Sequence, residues 1–219
     1  MAAIEIYHGS RQVVERPLLG VGNPRNDYGI GFYCTESHDL ACEWACPDNT
    51  DGYANRYRLE INELAVCDLE STEYGTLNWL AVLVRNRRFN ETTPLMTDMK
   101  QALLERYDVD LNPYDIVVGY RADDSYFSFA RAFLDNRISL KQLEQALELG
   151  DPGRQVVLKS ETAFDALTFC GAECVRAGEW HARRLARDRS AREAFRAMTS
   201  DYRFSEDDVF ALDILRGQA

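Results

Sequence analysis

No stretch of the chain approaches the roughly 20 consecutive apolar residues that span a bilayer, so nothing in it predicts a membrane helix. The first ten residues, MAAIEIYHGS, lack the basic segment followed by an apolar run that marks a secretory leader, and a cytoplasmic protein without membrane contact is the expectation. Positive charge is in deficit: 25 basic side chains face 36 acidic ones, a formal net charge of −11. That balance argues against a general nucleic-acid coat while leaving room for a local basic patch. Histidine is scarce, with His8, His38 and His181 scattered along the sequence. The six cysteines lack the tight knuckles of a zinc site. Cys42/Cys46 and Cys170/Cys174 are each four apart, which puts both thiols of a pair on one face of a helix. They read as reduced, half-buried apolar side chains, and no metal is expected. Internal repeats, low-complexity runs and flexible linkers are missing too.

What is present suffices for a core. Apolar residues make up 46% of the 219 positions, enough to fold one domain, or one domain with an appendage. Alternation predicts strands over 3–7, 55–61, 64–69, 114–119 and 155–158. A loop with Pro17, Gly20, Gly22, Pro24 and Asn26 leads through Gly29 and Gly31 into a short aromatic strand at Phe32-Tyr33-Cys34. Helical patterns cover 36–45 with Thr35 as cap, then 77–87, 98–107, 125–135 and 139–149, and 160–169 with Ser160 as cap. Beyond Gly171 the composition shifts: seven arginines fall between 176 and 196, in one long helix followed by a turn near Ser205 and a short helix to Leu215. Interleaved strands and helices make the class α+β.

Three segments carry chemistry-bearing residues at strand ends: Tyr7-His8-Gly9-Ser10, Gly29-Ile30-Gly31-Phe32-Tyr33, and Gln155-Val156-Val157-Leu158. Taken singly, the first is a histidine turn, the second a glycine turn without dinucleotide-helix spacing, and the third a plain strand. In this order they resemble the His–Tyr–Glu signature of the diphtheria-toxin and poly(ADP-ribose)-polymerase types of ADP-ribosyltransferase. The set is most similar to a bacterial family of small ADP-ribosyltransferase-like proteins. Ala41–Ala45 with its tryptophan, Val84–Arg87, Tyr114–Gly119, Ala122–Tyr126 and Gln155–Ala163 extend the resemblance, which covers about residues 4–170.

The resemblance implies a split β-sheet NAD-binding fold over residues 1–170, with flanking helices and an arginine-rich helical extension, 171–219, packed on it. It implies NAD as substrate. His8 would bind a ribose hydroxyl of the adenosine half, with Ser10 beside it. Gly9 would hold the nicotinamide carboxamide through its backbone, where the missing Cβ permits close approach. Tyr33 would stack on the nicotinamide ring with Trp44 closing the other face, unless Trp44 is an ordinary core tryptophan. Gln155 stands where the polymerase-type enzymes carry glutamate. Glutamine can bond the nicotinamide ribose and cannot act as a base near neutral pH, so chain-lengthening polymerisation is not expected. The acceptor would then be a good nucleophile, or Glu161, Asp123 or Asp124 would supply the base; Glu161 is better explained as a first-turn helix carboxylate, and Asp123-Asp124 equally as a solvated loop. Arg11, Arg25 and Arg121 are the arginines nearest the motifs, and sequence does not choose among them as diphosphate ligands. The expected activity is mono-ADP-ribosyl transfer to a protein or nucleic-acid acceptor, in the setting of a bacterial toxin or phage-conflict effector with an antitoxin-like protein partner. The alternatives are an inactive NAD- or ADP-ribose-binding module and an NAD glycohydrolase. The arginine-rich helix is either a solvated face, a patch for a polyanion, or a partner surface.

Overall fold

Strand alternation in Ala3–Ser10 (β1) buries Ile6 on one face, and the strand pairs antiparallel with Gly52–Glu60 (β3) along its whole length. In the computed structural model, which describes residues 2–218 apart from the side chain of Asp124, β3 in turn pairs with Leu167–Val175 (β7), giving the order β1-β3-β7. A second sheet has the order β2-β6-β5-β4, built from Phe32–Cys34 (β2), Arg154–Leu158 (β6), Ile116–Tyr120 (β5) and Val66–Asp68 (β4). Among the described residues only β4 and β5 run parallel. The sheets touch where Tyr7 and Thr35 exchange backbone bonds, 2.7 Å from Tyr7 N to Thr35 O and 2.9 Å in return. Among the described residues no other backbone bond joins the two sheets.

The described residues form eight helices beside the sheets: His38–Ala45 (α1), Thr76–Asn86 (α2), Pro94–Arg106 (α3), Asp124–Leu134 (α4), Leu140–Leu147 (α5), Glu161–Asp165 (α6), Ala177–Asp201 (α7) and Ala211–Leu215 (α8). The fold is therefore mixed α and β with two sheets. Helix α2 is apolar all round from Trp79 to Val84, and it lies in the largest core cluster with Leu103, Phe129, Phe133, Val117 and Val157. A second cluster, with Ile6, Tyr57 and Leu59 from one sheet and Phe32, Val156 and Leu158 from the other, fills the space between the sheets. The four-stranded sheet thus has two buried faces. Its Val156 face meets the other sheet, and its Val157 face meets the helices.

Several expectations are corrected. The strand expected to end at Tyr7 runs to Ser10, so His8 and Gly9 are strand residues and not a turn. Ser37, not Thr35, caps α1, accepting from Leu40 N at 3.3 Å, because the backbone of Thr35 is committed to Tyr7. The helix expected over 160–169 stops at Asp165, and 167–175 is strand β7. The open edge of β3 accounts for this: long-range pairing overrides the local helical pattern. Gly171, at φ 134°, sits opposite the register shift between Arg56 and Tyr57, a backbone angle that suits only glycine. Cys170 and Cys174 therefore lie on a strand and not on one helix face, both exposed, while the other four cysteines are buried and free. The boundary drawn at residue 170 falls inside β7, and the arginine-rich helix starts at Ala177.

Candidate functional site

On the helix-facing side of the four-stranded sheet, side chains of β2 and β6 line a cleft. Tyr33 opposes Val157 across the β2–β6 ladder, and Gln155, two residues before Val157, shares its face. Tyr33 and Gln155 are therefore diagonal neighbours. Trp44 from α1 lines the same cleft, together with Asn26, Asp27, Arg87, Arg121, Ala122, Asp123 and Arg184, around a volume of about 300 Å³. A second hollow of about 230 Å³ adjoins it, lined by His8, Phe32 and the 14–31 loop, with Tyr33 and Asn26 common to both. Tyr33 is the partition, its hydroxyl donating to Gly29 O at 2.7 Å and accepting from Tyr28 N at 3.0 Å.

His8 is held in one chemical state. Its Nδ1 lies 2.7 Å from Tyr33 O, and a carbonyl only accepts, so Nδ1 carries the proton. Burial lowers the imidazole below its ordinary value, against a smaller opposing effect of that hydrogen bond. The ring is thus neutral near pH 7 and offers Nε2 as an acceptor, with Phe32 packed on it at 4.4 Å between centroids. Gly9 faces the other way. A Cβ there would meet Ala41 O at 2.0 Å and Ala45 N at 2.7 Å, so helix α1 can lie on β1 only because residue 9 is glycine. Tyr7 turns its N–H and C=O toward β2, and by strand alternation Gly9, two residues on, turns its own to the same side, although Gly9 lines neither the cleft nor the hollow.

The far wall is charged. Asp27, 4% exposed, pairs with Arg87 Nη1 at 2.9 Å and accepts from Ala122 N at 2.9 Å. Burial pushes its carboxyl up, with Arg87 the main opposing influence. Asp123 caps α4, accepting from Ser125 N at 3.2 Å, and stands 3.9 Å from Arg121 and 3.6 Å from Arg187. Arg187 also donates to Glu43 through Nε and Nη2, at 2.8 and 2.6 Å. Arg121 lies over the Trp44 ring, 4.9 Å from its centroid.

Of the residues singled out in the sequence, Tyr33, Trp44, Gln155, Asp123 and Arg121 meet in the cleft, and His8 lines the adjoining hollow. Ser10 and Arg11 reach neither: the Ser10 hydroxyl donates to Gln12 O at 2.6 Å, and Arg11 pairs with Asp48 at the surface. Arg25 and Glu161 are exposed, and Asp124 lies outside the described side chains. Asp27 and Asn55 were missed, and Arg184 was read only as one arginine of the C-terminal helix, with a polyanion patch among its possible roles. Asn55 is fully buried and donates to His8 O at 3.1 Å and Ser10 Oγ at 2.9 Å, tying the histidine strand down. Its only sequence signal is a polar residue inside an alternating strand. A further hollow of about 330 Å³ beside α1 shares no residue with the cleft, and its His38 and Glu173 pair with each other at 3.1 Å. Among the described residues no group of three or more His, Cys, Asp or Glu is arranged to hold a metal.

A family described as a protein of unknown function (DUF3990) matches residues 4–169, about three quarters of the chain. The chain belongs to this family. The match spans β1 to the first residues of β7 and takes in every sequence-predicted site residue, but it stops short of Arg184 and Arg187. No curated protein and no solved structure matches.

Proposed function

We propose that this family member is a mono-ADP-ribosyltransferase that cleaves NAD to nicotinamide and transfers ADP-ribose to a macromolecular acceptor. The observation that carries the reading is the arrangement of three side chains drawn from separate parts of the sequence. Tyr33 and Gln155 are side by side in one cleft, and neutral His8 stands behind the tyrosine with Nε2 available as an acceptor. The adenosine half would occupy the His8 hollow, and the nicotinamide half would lie against Tyr33 with Gln155 at its ribose. The outward backbone of Gly9 suits a carboxamide, which needs one donor and one acceptor side by side.

The reaction needs orientation and charge stabilisation more than a strong base, because departure of nicotinamide runs ahead of nucleophilic attack. Gln155 can fix the ribose without accepting a proton; two carboxylates line the same cleft, Asp123 and Asp27, and Asp27 is already paired with Arg87. Gln155 also favours a second reading, an inactive NAD- or ADP-ribose-binding module acting through a partner. Water as acceptor would make the protein an NAD glycohydrolase. The biological setting we favour is a bacterial toxin or phage-conflict effector.

Nicotinamide release from NAD by the purified chain separates these readings. Release abolished by both Tyr33→Ala and Gln155→Ala is the expected result, and labelled NAD with cell lysate then identifies the acceptor class. Binding through Tyr33 without release, in lysate as in buffer, would select the binding module. No binding of NAD at all would remove the family of readings.

A further inference from the structure

Buried side-chain donors and acceptors nearly always find partners. Here four that have none among the described residues gather at one place: Trp44 Nε1, Arg121 Nη1, Gln155 Oε1 and Arg187 Nη1. The first three belong to residues lining the cleft, and Arg187 Nη1 is 3.6 Å from Asp123, which lines it too. Three of the four are donors. Arg121 is 9% exposed, and its nearest carboxylate among the described side chains, Asp123, lies at 3.9 Å, beyond hydrogen-bond reach, and is shared with Arg187. Burial is the largest cause pulling the Arg121 guanidinium down to about 10. Asp123 opposes it, and Arg187 and Arg184 add to it. A buried cation without a hydrogen-bonded counter-ion is costly to keep, and an anion entering the cleft would relieve that cost.

We propose that the cleft contains a phosphate-binding position formed by Arg121 and the indole N–H of Trp44, with Arg184 at its rim. The donors come from three elements, the end of β5, helix α1 and helix α7, and so approach from three directions. A tetrahedral group with several acceptor oxygens suits that better than a planar carboxylate, which is met by two parallel bonds from one arginine. The neighbouring Arg87 is already neutralised by Asp27, and Arg187 is held by Glu43 and Asp123. Arg184 spends Nη1 on Pro47 O at 3.1 Å, its one hydrogen bond among the described residues. Arg121 and Arg184 are therefore the arginines left to receive a ligand. The phosphate belongs either to the dinucleotide's own diphosphate, which rests on the reading above, or to a phosphate-bearing second substrate.

Calorimetric titration of the full chain at low salt tests this with inorganic pyrophosphate, ADP-ribose, NAD and adenosine as probes. Wild type, Arg121→Gln, Trp44→Phe and Arg184→Gln are compared, and melting temperatures are taken without ligand. Pyrophosphate is expected to bind wild type and to weaken about ten-fold or more in Arg121→Gln, and less in Trp44→Phe, which keeps a ring but no donor. Unliganded Arg121→Gln should melt no lower than wild type, since it removes a buried unpaired charge, whereas a purely structural arginine would leave the variant less stable. Equal weakening of ADP-ribose and NAD in Arg121→Gln would assign the position to the dinucleotide. Loss of pyrophosphate alone would assign it to a second substrate. Wild type without affinity for pyrophosphate, or Arg121→Gln binding it unchanged, overturns the proposal and leaves NAD binding as a separate question. Pyrophosphate binding without NAD binding would instead uphold this site and remove the transferase reading.

Discussion

His8 illustrates how one residue's environment selects its chemistry. The ring packs against Phe32, donates through Nδ1 to Tyr33 O, and is kept neutral by burial. Its folded value lies below the 6.5 of an ordinary histidine, so below pH 6.5 the unfolded chain takes up a proton that the folded chain resists. The contribution of His8 to stability is thus complete above pH 6.5 and is lost as pH falls from there toward the folded value. Urea unfolding at pH 7 and pH 5 should show wild type losing more stability on acidification than His8→Phe. Equal losses would mean that folded His8 protonates as readily as a free imidazole. Gly9 makes a related point. Its value as a residue type was visible in the sequence, but the reason given there was ligand approach. The structure supplies another, the contact of its backbone with Ala41 and Ala45 of α1.

At the scale of elements, α7 is more than a solvated arginine helix. Arg187 joins Glu43 of α1 to Asp123 at the start of α4, and so ties the helix that carries Trp44 to the β5–α4 link that carries Arg121. Glu43 is 7% exposed. Arg187→Ala would leave its carboxylate buried without its partner, at a cost of about 3 kcal/mol. The double substitution Arg187→Met with Glu43→Leu should recover most of that loss, because no uncompensated charge remains. Denaturant midpoints of wild type, Arg187→Met, Glu43→Leu and the double form the cycle that measures this. A double variant as unstable as the sum of the singles would show the pair to be uncoupled. Other arginines of the helix do face water or local acids, as the solvated reading expected: Arg183 pairs with Glu179 and Arg192 with Asp188, each one turn apart.

At the scale of the whole molecule, residues 177–218 contribute to the largest core cluster. Ala191, Ala211 and Ile214 are buried within it, Phe195 stacks on Phe129 at 4.1 Å, and Arg106 reaches Ile214 O at 2.7 Å. A chain ended at Arg176 should lose on the order of 5 kcal/mol from exposed apolar surface alone, with a lower and broader melt. It would also lack Arg184 and Arg187 and with them part of the cleft wall. A sharp melt near the wild-type temperature would show the segment to be a true appendage. The net charge of −11 is spread over a surface that still concentrates arginines around one cleft, so bulk composition was a poor guide to local potential.

The sequence by itself determined what short windows encode. The α2 run from Trp79 to Val84 is a buried helix because it is apolar on every side. Ser139 and Ser160 begin helices because their hydroxyls cap backbone N–H groups three residues on. The glycine turn before Tyr33, and the order of the histidine, tyrosine and glutamine segments, were readable for the same reason. Only the tertiary structure decided which distant segments meet. It put Arg121 and Arg184 in the cleft and left Arg11 and Arg25 outside. It turned 167–175 into a strand because β3 had an edge to fill. It also brought Glu43 and Arg187 together across 144 positions. Burial and long-range pairing depend on the whole chain folding at once, and no local pattern of residues specifies them.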